Sequence, residues 1–117
     1  QGAVGAQGNQ GVQGAQGVQG SQGSFSNYYN TRLVNVNYSL VANDFYVGVS
    51  NSTSNVLITI PSSESNGRLI IIKDESGNCS SNPITISGNI DNDAGGAILS
   101  VDNGSLQMIY RAGWRIV

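Results

Sequence analysis

The 117-residue chain contains no histidine, one cysteine, two prolines and one tryptophan, and only 10% of its residues are charged. Without histidine, Ser-His-Asp and Cys-His catalysis are excluded, and the commonest zinc ligand is missing. The single cysteine, Cys79, cannot form an intrachain disulfide or a CxxC site. This composition favours a structural or binding module over an enzyme. We expect no cofactor and no metal ion.

Basic residues are equally scarce. The chain has five Lys and Arg residues against seven Asp and Glu, which gives a net charge of −2. Because binding to a phosphate backbone needs clustered basic side chains, we expect no nucleic-acid partner. No apolar run approaches the roughly 18–20 residues that cross a bilayer, so we also expect no membrane insertion.

A strict repeat occupies the first 23 residues, with glycine at every third position: Gly2, Gly5, Gly8, Gly11, Gly14, Gly17, Gly20 and Gly23. Six successive triplets end in Gln. The collagen triple helix requires this spacing, because only a hydrogen atom fits where three chains meet at the axis. The repeat predicts a collagen-like triple-helical shaft over residues 1–24, with these glycines at its axis. A Gly/Gln-rich linker is the alternative, but a linker has no reason to keep the register.

The predicted shaft lacks proline, which presets the backbone dihedral of ordinary collagen, and it lacks charge pairs. We expect it to be marginal alone and to need a neighbouring module that holds three chains together. Residues 25–31 form a junction to that module. Its aromatic side chains either pack at the threefold axis or are scattered along an ordinary linker: Phe25, Tyr28 and Tyr29.

Residues 32–117 contain short β-branched runs separated by Asn, Ser, Gly and Asp, with no helical stripe. The predicted strands are 32–36, 38–41, 45–49, 56–60, 68–73, 84–87, 97–101, 105–110 and 114–117. Spacing of about ten residues is typical of a sandwich. We therefore predict an all-β, β-sandwich or jelly-roll-like head that is trimeric. Asp102-Asn103-Gly104 is expected to form a tight hairpin turn between two of the strands.

The longest apolar run suggests how three heads associate. Four consecutive residues are apolar, so alternation would expose half of them on a monomer. We expect one face to pack on the core and the other on a neighbouring copy. The trimer-interface candidates are therefore Leu69, Ile70, Ile71 and Ile72.

The head resembles the C-terminal domains of viral and bacteriophage fibre proteins, in which a β-rich module follows Gly-x-Gln repeats. The resemblance lies in residues 38–49, 56–61, 67–78, 82–86 and 104–110, followed by Trp114. The segment IIKDESGN, residues 71–78, is its most specific part. Cys79 and Asn92-Asp93 depart from the family pattern. The resemblance implies a trimerisation module at a receptor-facing tip.

Three residues near the C-terminus are receptor-facing candidates: Tyr110, Trp114 and Arg115. Aromatic rings stack on sugars and arginine adds hydrogen bonds, although Trp114 is expected more strongly as an anchor in the core or interface. Asp91-Asn92-Asp93 is either a polar turn or a calcium loop. Lys73 and Asp74 form either an intersubunit ion pair or, as we favour, a solvated lysine beside a turn-capping aspartate. Cys79 is expected to be a free thiol.

The sequence thus predicts the distal piece of a homotrimeric fibre on a virion surface, whose head registers the chains and contacts a glycan or protein receptor. The alternative is a collagen-like adhesin of a bacterial cell or spore surface with a tumour-necrosis-factor-like head. An enzyme is not expected. A retaining glycosidase needs two carboxyl groups about 5 Å apart, and the candidate aspartates lie in turns.

Overall fold

A computed structural model describes residues 28–51 and 53–117. The predicted shaft with its axial glycines, and Phe25 of the junction, lie outside the described residues. Nine strands follow one another: β1 (Thr31–Val34), β2 (Tyr38–Ser39), β3 (Tyr46–Val49), β4 (Val56–Thr59), β5 (Leu69–Asp74), β6 (Ile84–Ser87), β7 (Ala97–Leu99), β8 (Ser105–Tyr110) and β9 (Trp114–Ile116). The part of the chain that the structure describes contains no helix with the length and hydrophobicity that a membrane crossing requires.

The strands form two mixed sheets. Sheet 1 has the order β1-β3-β5-β8-β9 and sheet 2 the order β2-β4-β6-β7. The first six strands alternate between the sheets and pair in parallel with their neighbours. In sheet 1, β1 pairs with β3 and β3 with β5; in sheet 2, β2 pairs with β4 and β4 with β6. The last three strands pair antiparallel, β7 on β6, β8 on β5 and β9 on β8. The chain therefore winds as a short two-sheet coil that antiparallel strands complete.

This winding gives the head two ends. Strands β1, β3 and β5 all begin at one end, which we call the entry end because residues 28–30 lead into β1 there. The loops 41–45, 60–68, 88–96 and 111–113 also lie at the entry end. The opposite, far end carries residues 50–51 and 53–55 and the loops 75–83 and 100–104. Every candidate site therefore belongs to one end or to a sheet face.

One apolar core lies between the sheets. Alternation decides which side chains enter it: in β5 Ile70 and Ile72 have no exposed surface, whereas Leu69 and Ile71 are half-buried on the other face. The same alternation in sheet 2 buries Ile58 of β4 and leaves Leu57 exposed. Because the inward side chains of both sheets belong to one cluster, the head is a two-layer sandwich.

The all-β prediction is confirmed, and each predicted strand matches an observed one with bounds that differ by at most two residues. The pairing differs from that of an antiparallel jelly roll, since six strands pair in parallel. The turn prediction at Asp102-Asn103-Gly104 was wrong: β7 belongs to sheet 2 and β8 to sheet 1, so this turn crosses between sheets instead of closing a hairpin. The β8–β9 hairpin turns instead at Arg111-Ala112-Gly113.

The return into β7 depends on Gly96, whose φ of 76° lies in the left-handed region and whose added Cβ would clash with the carbonyl oxygen of Ile86. Gly67 is a matched control, because its φ is 96° but an added Cβ meets nothing within 4 Å. We expect Gly67→Ala to lower the free energy of unfolding by about 1–2 kcal/mol through backbone strain. Gly96→Ala should lower it clearly further, since a sheet carbonyl must also move. Urea unfolding measures both, and equal losses would contradict the close approach.

Candidate functional site

The three receptor candidates meet at one cavity at the entry end. Tyr110, Trp114 and Arg115 line a space of about 220 Å³ between the end of β4, the loop after β6 and the β8–β9 turn. The other side chains around it are polar or small, namely Ser62, Asn89, Asn92 and Ala112, together with Pro61 and Gly113. The cavity is named here the Arg115 cavity.

Trp114 forms the rigid wall of this cavity. Its side chain is only 2% exposed, and its Nε1 donates to the carbonyl oxygen of Pro61 at 2.9 Å. The Tyr110 ring packs edge-on against the indole with centroids 5.3 Å apart. These contacts make Trp114 a core anchor, which is the reading that the sequence favoured. Tyr110 and Arg115 are the candidates left with surface for a ligand.

Arg115 is held by weak contacts that leave its charge uncompensated. Its Nε donates to Arg111 O at 3.3 Å, Nη2 to Ala112 O at 3.4 Å and Nη1 to Asn92 Oδ1 at 3.4 Å. Both ion pairs found among the described residues lie elsewhere. The guanidinium is therefore oriented by neutral oxygens and keeps its positive charge beside the cavity.

The Asp91-Asn92-Asp93 segment acts as a polar turn next to the cavity. Asp91 and Asn92 adopt left-handed φ values of 52° and 66°. The Asp91 carboxylate accepts from Ile116 N at 3.3 Å, and the Asp93 carboxylate accepts from Gly95 N at 2.8 Å. Both aspartates thus shape the turn, and residues 28–51 and 53–117 bring no three acidic, cysteine or histidine side chains together as a metal-binding group.

The run Leu69, Ile70, Ile71 and Ile72 divides between two faces. Ile70 and Ile72 have no exposed surface, so within this fold neither side chain can reach a second copy. Leu69 and Ile71 lie on the outer face of sheet 1, and Leu69 pairs with Ile109 of β8. An interface on this face therefore uses Leu69 and Ile71, and their role in it stays a prediction.

Both junction aromatics that the structure describes, Tyr28 and Tyr29, are exposed. Tyr29 is 72% exposed and stacks on Phe45 of its own chain, with ring centroids 4.2 Å apart. Tyr28 is 91% exposed. The Tyr29–Phe45 stack, together with the bond from Tyr46 N to Asn30 O at 3.1 Å, fixes where the chain enters the head.

Lys73 and Asp74 do not pair with each other. Lys73 Nζ donates to the carbonyl oxygen of Asn103, whereas the Asp74 carboxylate is fully buried and points inward. Five donors surround that carboxylate: the backbone amides of Ser76, Gly77, Cys79 and Asn103, at 2.9–3.1 Å, and the Ser76 hydroxyl at 2.8 Å. Burial opposes its ionisation, but these bonds outweigh burial and hold the pKa of Asp74 below its ordinary value. Asp74 is therefore the loop-capping residue that the sequence favoured.

Cys79 is a free thiol, as expected, and it is buried in the core, which the sequence did not predict. Its Sγ contacts the carbonyl oxygen of Leu99, and burial raises the pKa of the thiol. A buried, protonated thiol is inert, so Cys79 is a packing residue here.

The sequence missed a second buried carboxylate, Asp44, at the entry end. It is 2% exposed and accepts from Arg32 Nε at 2.8 Å, Tyr38 OH at 2.6 Å and Val41 N at 2.9 Å. Burial opposes ionisation, yet these bonds lower the pKa of Asp44. Its neighbours in sequence are ordinary turn residues. The Val41 bond is a local turn contact, and no local signal marks that Arg32 of β1 and Tyr38 of β2 also converge on the carboxylate. Ser62 and Asn89 of the Arg115 cavity were missed for the same reason.

Acid should destabilise the head through these two carboxylates. Their folded pKa values lie below the unfolded value of about 3.9, so their stabilisation is present above that pH and is lost as the pH falls through the folded values. Asp74→Asn should lower the free energy of unfolding at pH 7 by about 1–3 kcal/mol, because its amide faces backbone donors. The difference should shrink as the pH falls through the folded pKa of Asp74 and the native carboxyl becomes protonated.

Thermal unfolding followed between pH 7 and pH 2 measures this effect. The exposed Asp102, which accepts from Ser80 N at the same end, provides the control variant Asp102→Asn. A gap between Asp74→Asn and the native chain that stays constant over the whole range would contradict the role of the charge.

The comparisons with known proteins leave the interpretation to the geometry. No protein-family model matches the sequence, and a comparison with curated proteins finds no match. The function proposed below therefore rests on the glycine repeat, the outer faces of the sheets and the Arg115 cavity.

Proposed function

We propose that this chain is the distal part of a homotrimeric fibre on a virion surface, in which residues 1–24 form a collagen-like shaft and the β head registers the three chains and contacts the host. The observation that carries the proposal is the uninterrupted glycine repeat, Gly2 to Gly23, because a third-position glycine has a physical reason only where three chains meet. The head follows this repeat within a few residues, at the entry end of the sandwich.

The outer face of sheet 1 suits the contact between heads. Leu69, Ile71, Ile109 and Tyr46 lie on it in adjacent register positions and are half-buried in one chain. Polar residues surround them at the neighbouring positions Thr31, Lys73, Ser105 and Gln107. An apolar centre with a polar rim is the usual anatomy of a protein–protein interface.

Glu75 completes the margin of that face. Its side chain lies over Gly48, where an added Cβ would clash with it, and it accepts from Tyr46 OH at 2.6 Å. Burial, with the hydrogen bond and charge of Glu75, raises the pKa of Tyr46 to about 12. The hydrogen bond to Glu75 gives the Tyr46 hydroxyl a partner within its own chain, and the aromatic ring adds apolar surface to the centre of the proposed contact.

Host contact would then fall to the surfaces that the shaft leaves open. Because residues 28–30 enter the head at the entry end, the far end, with residues 50–51 and 53–55 and the loops 75–83 and 100–104, lies opposite the point where the proposed shaft joins. Loops on a rigid scaffold commonly carry binding. The Arg115 cavity, at the entry end of each chain, is a second candidate for host contact.

Sedimentation of the full chain tests the trimer and its face. The native chain should sediment as a trimer at micromolar concentration. Ile71→Gln should shift it towards monomer, because a half-buried apolar side chain at the centre of the contact is lost. Leu57→Gln, on the outer face of sheet 2, is the matched control and should remain trimeric. A native monomer, or equal effects of the two variants, would contradict the proposal.

The shaft has its own test. Gly14 lies in mid-repeat, so Gly14→Val should disrupt the triple helix locally and leave the head folded. Circular dichroism should show a weaker polyproline-type signal and an earlier first melting transition, with unchanged β signal from the head. Ala15→Val, one position away, changes no axial glycine and should keep both. An unchanged melting profile for Gly14→Val would make the segment a linker.

A further inference from the structure

The Arg115 cavity joins a positive charge to groups that both donate and accept hydrogen bonds. No acidic residue lines it, although the chain has more acidic than basic residues. Within residues 28–51 and 53–117, no hydrogen bond engages the hydroxyls of Ser62 and Tyr110 or the amide of Asn89. These residues line one small space together with Arg115, whose guanidinium has only long hydrogen bonds of 3.3–3.4 Å to neutral oxygens.

Two non-glycine residues that line the cavity adopt left-handed backbone conformations. Asn92 and Ala112 have φ values of 66° and 56°, and Gly113 has 135°. Alanine has no side chain with which to support a left-handed conformation, and such outliers concentrate at binding sites. Here the turn directs the carbonyl oxygens of Arg111 and Ala112 at the guanidinium, which fixes the Arg115 side chain at the cavity.

We propose that the Arg115 cavity binds a single carboxylated sugar, a uronic acid residue of a host-surface glycan. Arginine pairs with a carboxylate through parallel hydrogen bonds. Hydroxyl and amide groups match sugar hydroxyls because both partners donate and accept. Tyr110 and Pro61 add apolar surface for the ring. The volume of about 220 Å³ lies below the roughly 300–1,000 Å³ of drug-sized sites, so the cavity accommodates one ring and not an extended chain.

Free phosphate fits less well than a sugar acid, since phosphate offers few donors to the accepting oxygens of Ser62, Asn89 and Asn92. The inference deepens the attachment role proposed above and rests on it for its biological meaning. The binding chemistry, however, depends on one chain only, so the trimer and the cavity can fail separately.

Ligand-observed saturation-transfer NMR on the full chain tests the cavity with matched probes. Methyl galacturonide and methyl glucuronide carry a carboxylate where methyl galactoside and methyl glucoside carry a hydroxymethyl group. At least one uronide should bind about tenfold or more tightly than its neutral partner, as expected for a charge-assisted hydrogen bond. Inorganic phosphate should compete only weakly.

Arg115→Gln should abolish the preference for the uronide, whereas Arg111→Gln removes an exposed arginine next to the cavity and should keep it. Tyr110→Phe, which removes only the hydroxyl, should weaken binding and leaves the fold a conservative side chain. Equal binding of acidic and neutral sugars, binding of phosphate alone, no binding at millimolar concentration, or an unchanged preference in Arg115→Gln would each overturn the proposal. Sedimentation of the same samples reports the trimer independently, so loss of binding with an intact trimer leaves the proposed fibre standing.

Discussion

Asp74 ends β5 with a buried carboxylate, and the desolvation of that charge is compensated by hydrogen bonds from the loops at the far end of the head. Its carboxylate has no exposed surface and accepts five hydrogen bonds from the loop that follows it and from Asn103. A buried carboxylate without such partners would be strongly unfavourable. Both loops must therefore close over it together. In doing so they place Cys79 in the core and deliver the chain into β8 beside β5.

This constraint explains why the strands could be predicted and their arrangement could not. β-Branched alternation is local, so β4 and β6 are visible in the sequence. Pairing is not local, since Tyr46 of β3 pairs with Ile71 of β5. The turn at residues 102–104 has the composition of a hairpin, yet its amide at Asn103 bonds to Asp74, and the chain crosses to the other sheet. The local sequence correctly predicted a turn. Which strands the turn connects depends on the long-range bond from Asn103 N to the Asp74 carboxylate.

The residues of the Arg115 cavity also differ in whether the sequence could predict them. Aromatic residues and arginine stand out in a chain with few of either, so the sequence singled out Tyr110 and Arg115, which line the cavity. Ser62 and Asn89 belong to types that occur throughout the loops and carried no signal until the ends of β4 and β6 met. The sequence predicted that the apolar run in β5 is divided between two faces of the sheet. It did not predict which residues lie on which face. The structure assigns Ile70 and Ile72 to the core and leaves Leu69 and Ile71 outside.

In the proposed fibre, shaft and head supply different information. The glycine repeat would bring three chains together. Because the repeat is nearly identical after every triplet, it does not define their register. One chain could slip past the others by three residues and lose only terminal contacts. Ordering the backbone costs about 1–2 kcal/mol per residue, and this repeat has neither proline nor charge pairs to offset it. A head contact at one fixed face forbids the slip and raises the local concentration of the three chains. The Tyr29–Phe45 stack fixes the point at which each chain enters the head, so the three chains of the proposed trimer would enter their heads at equivalent positions.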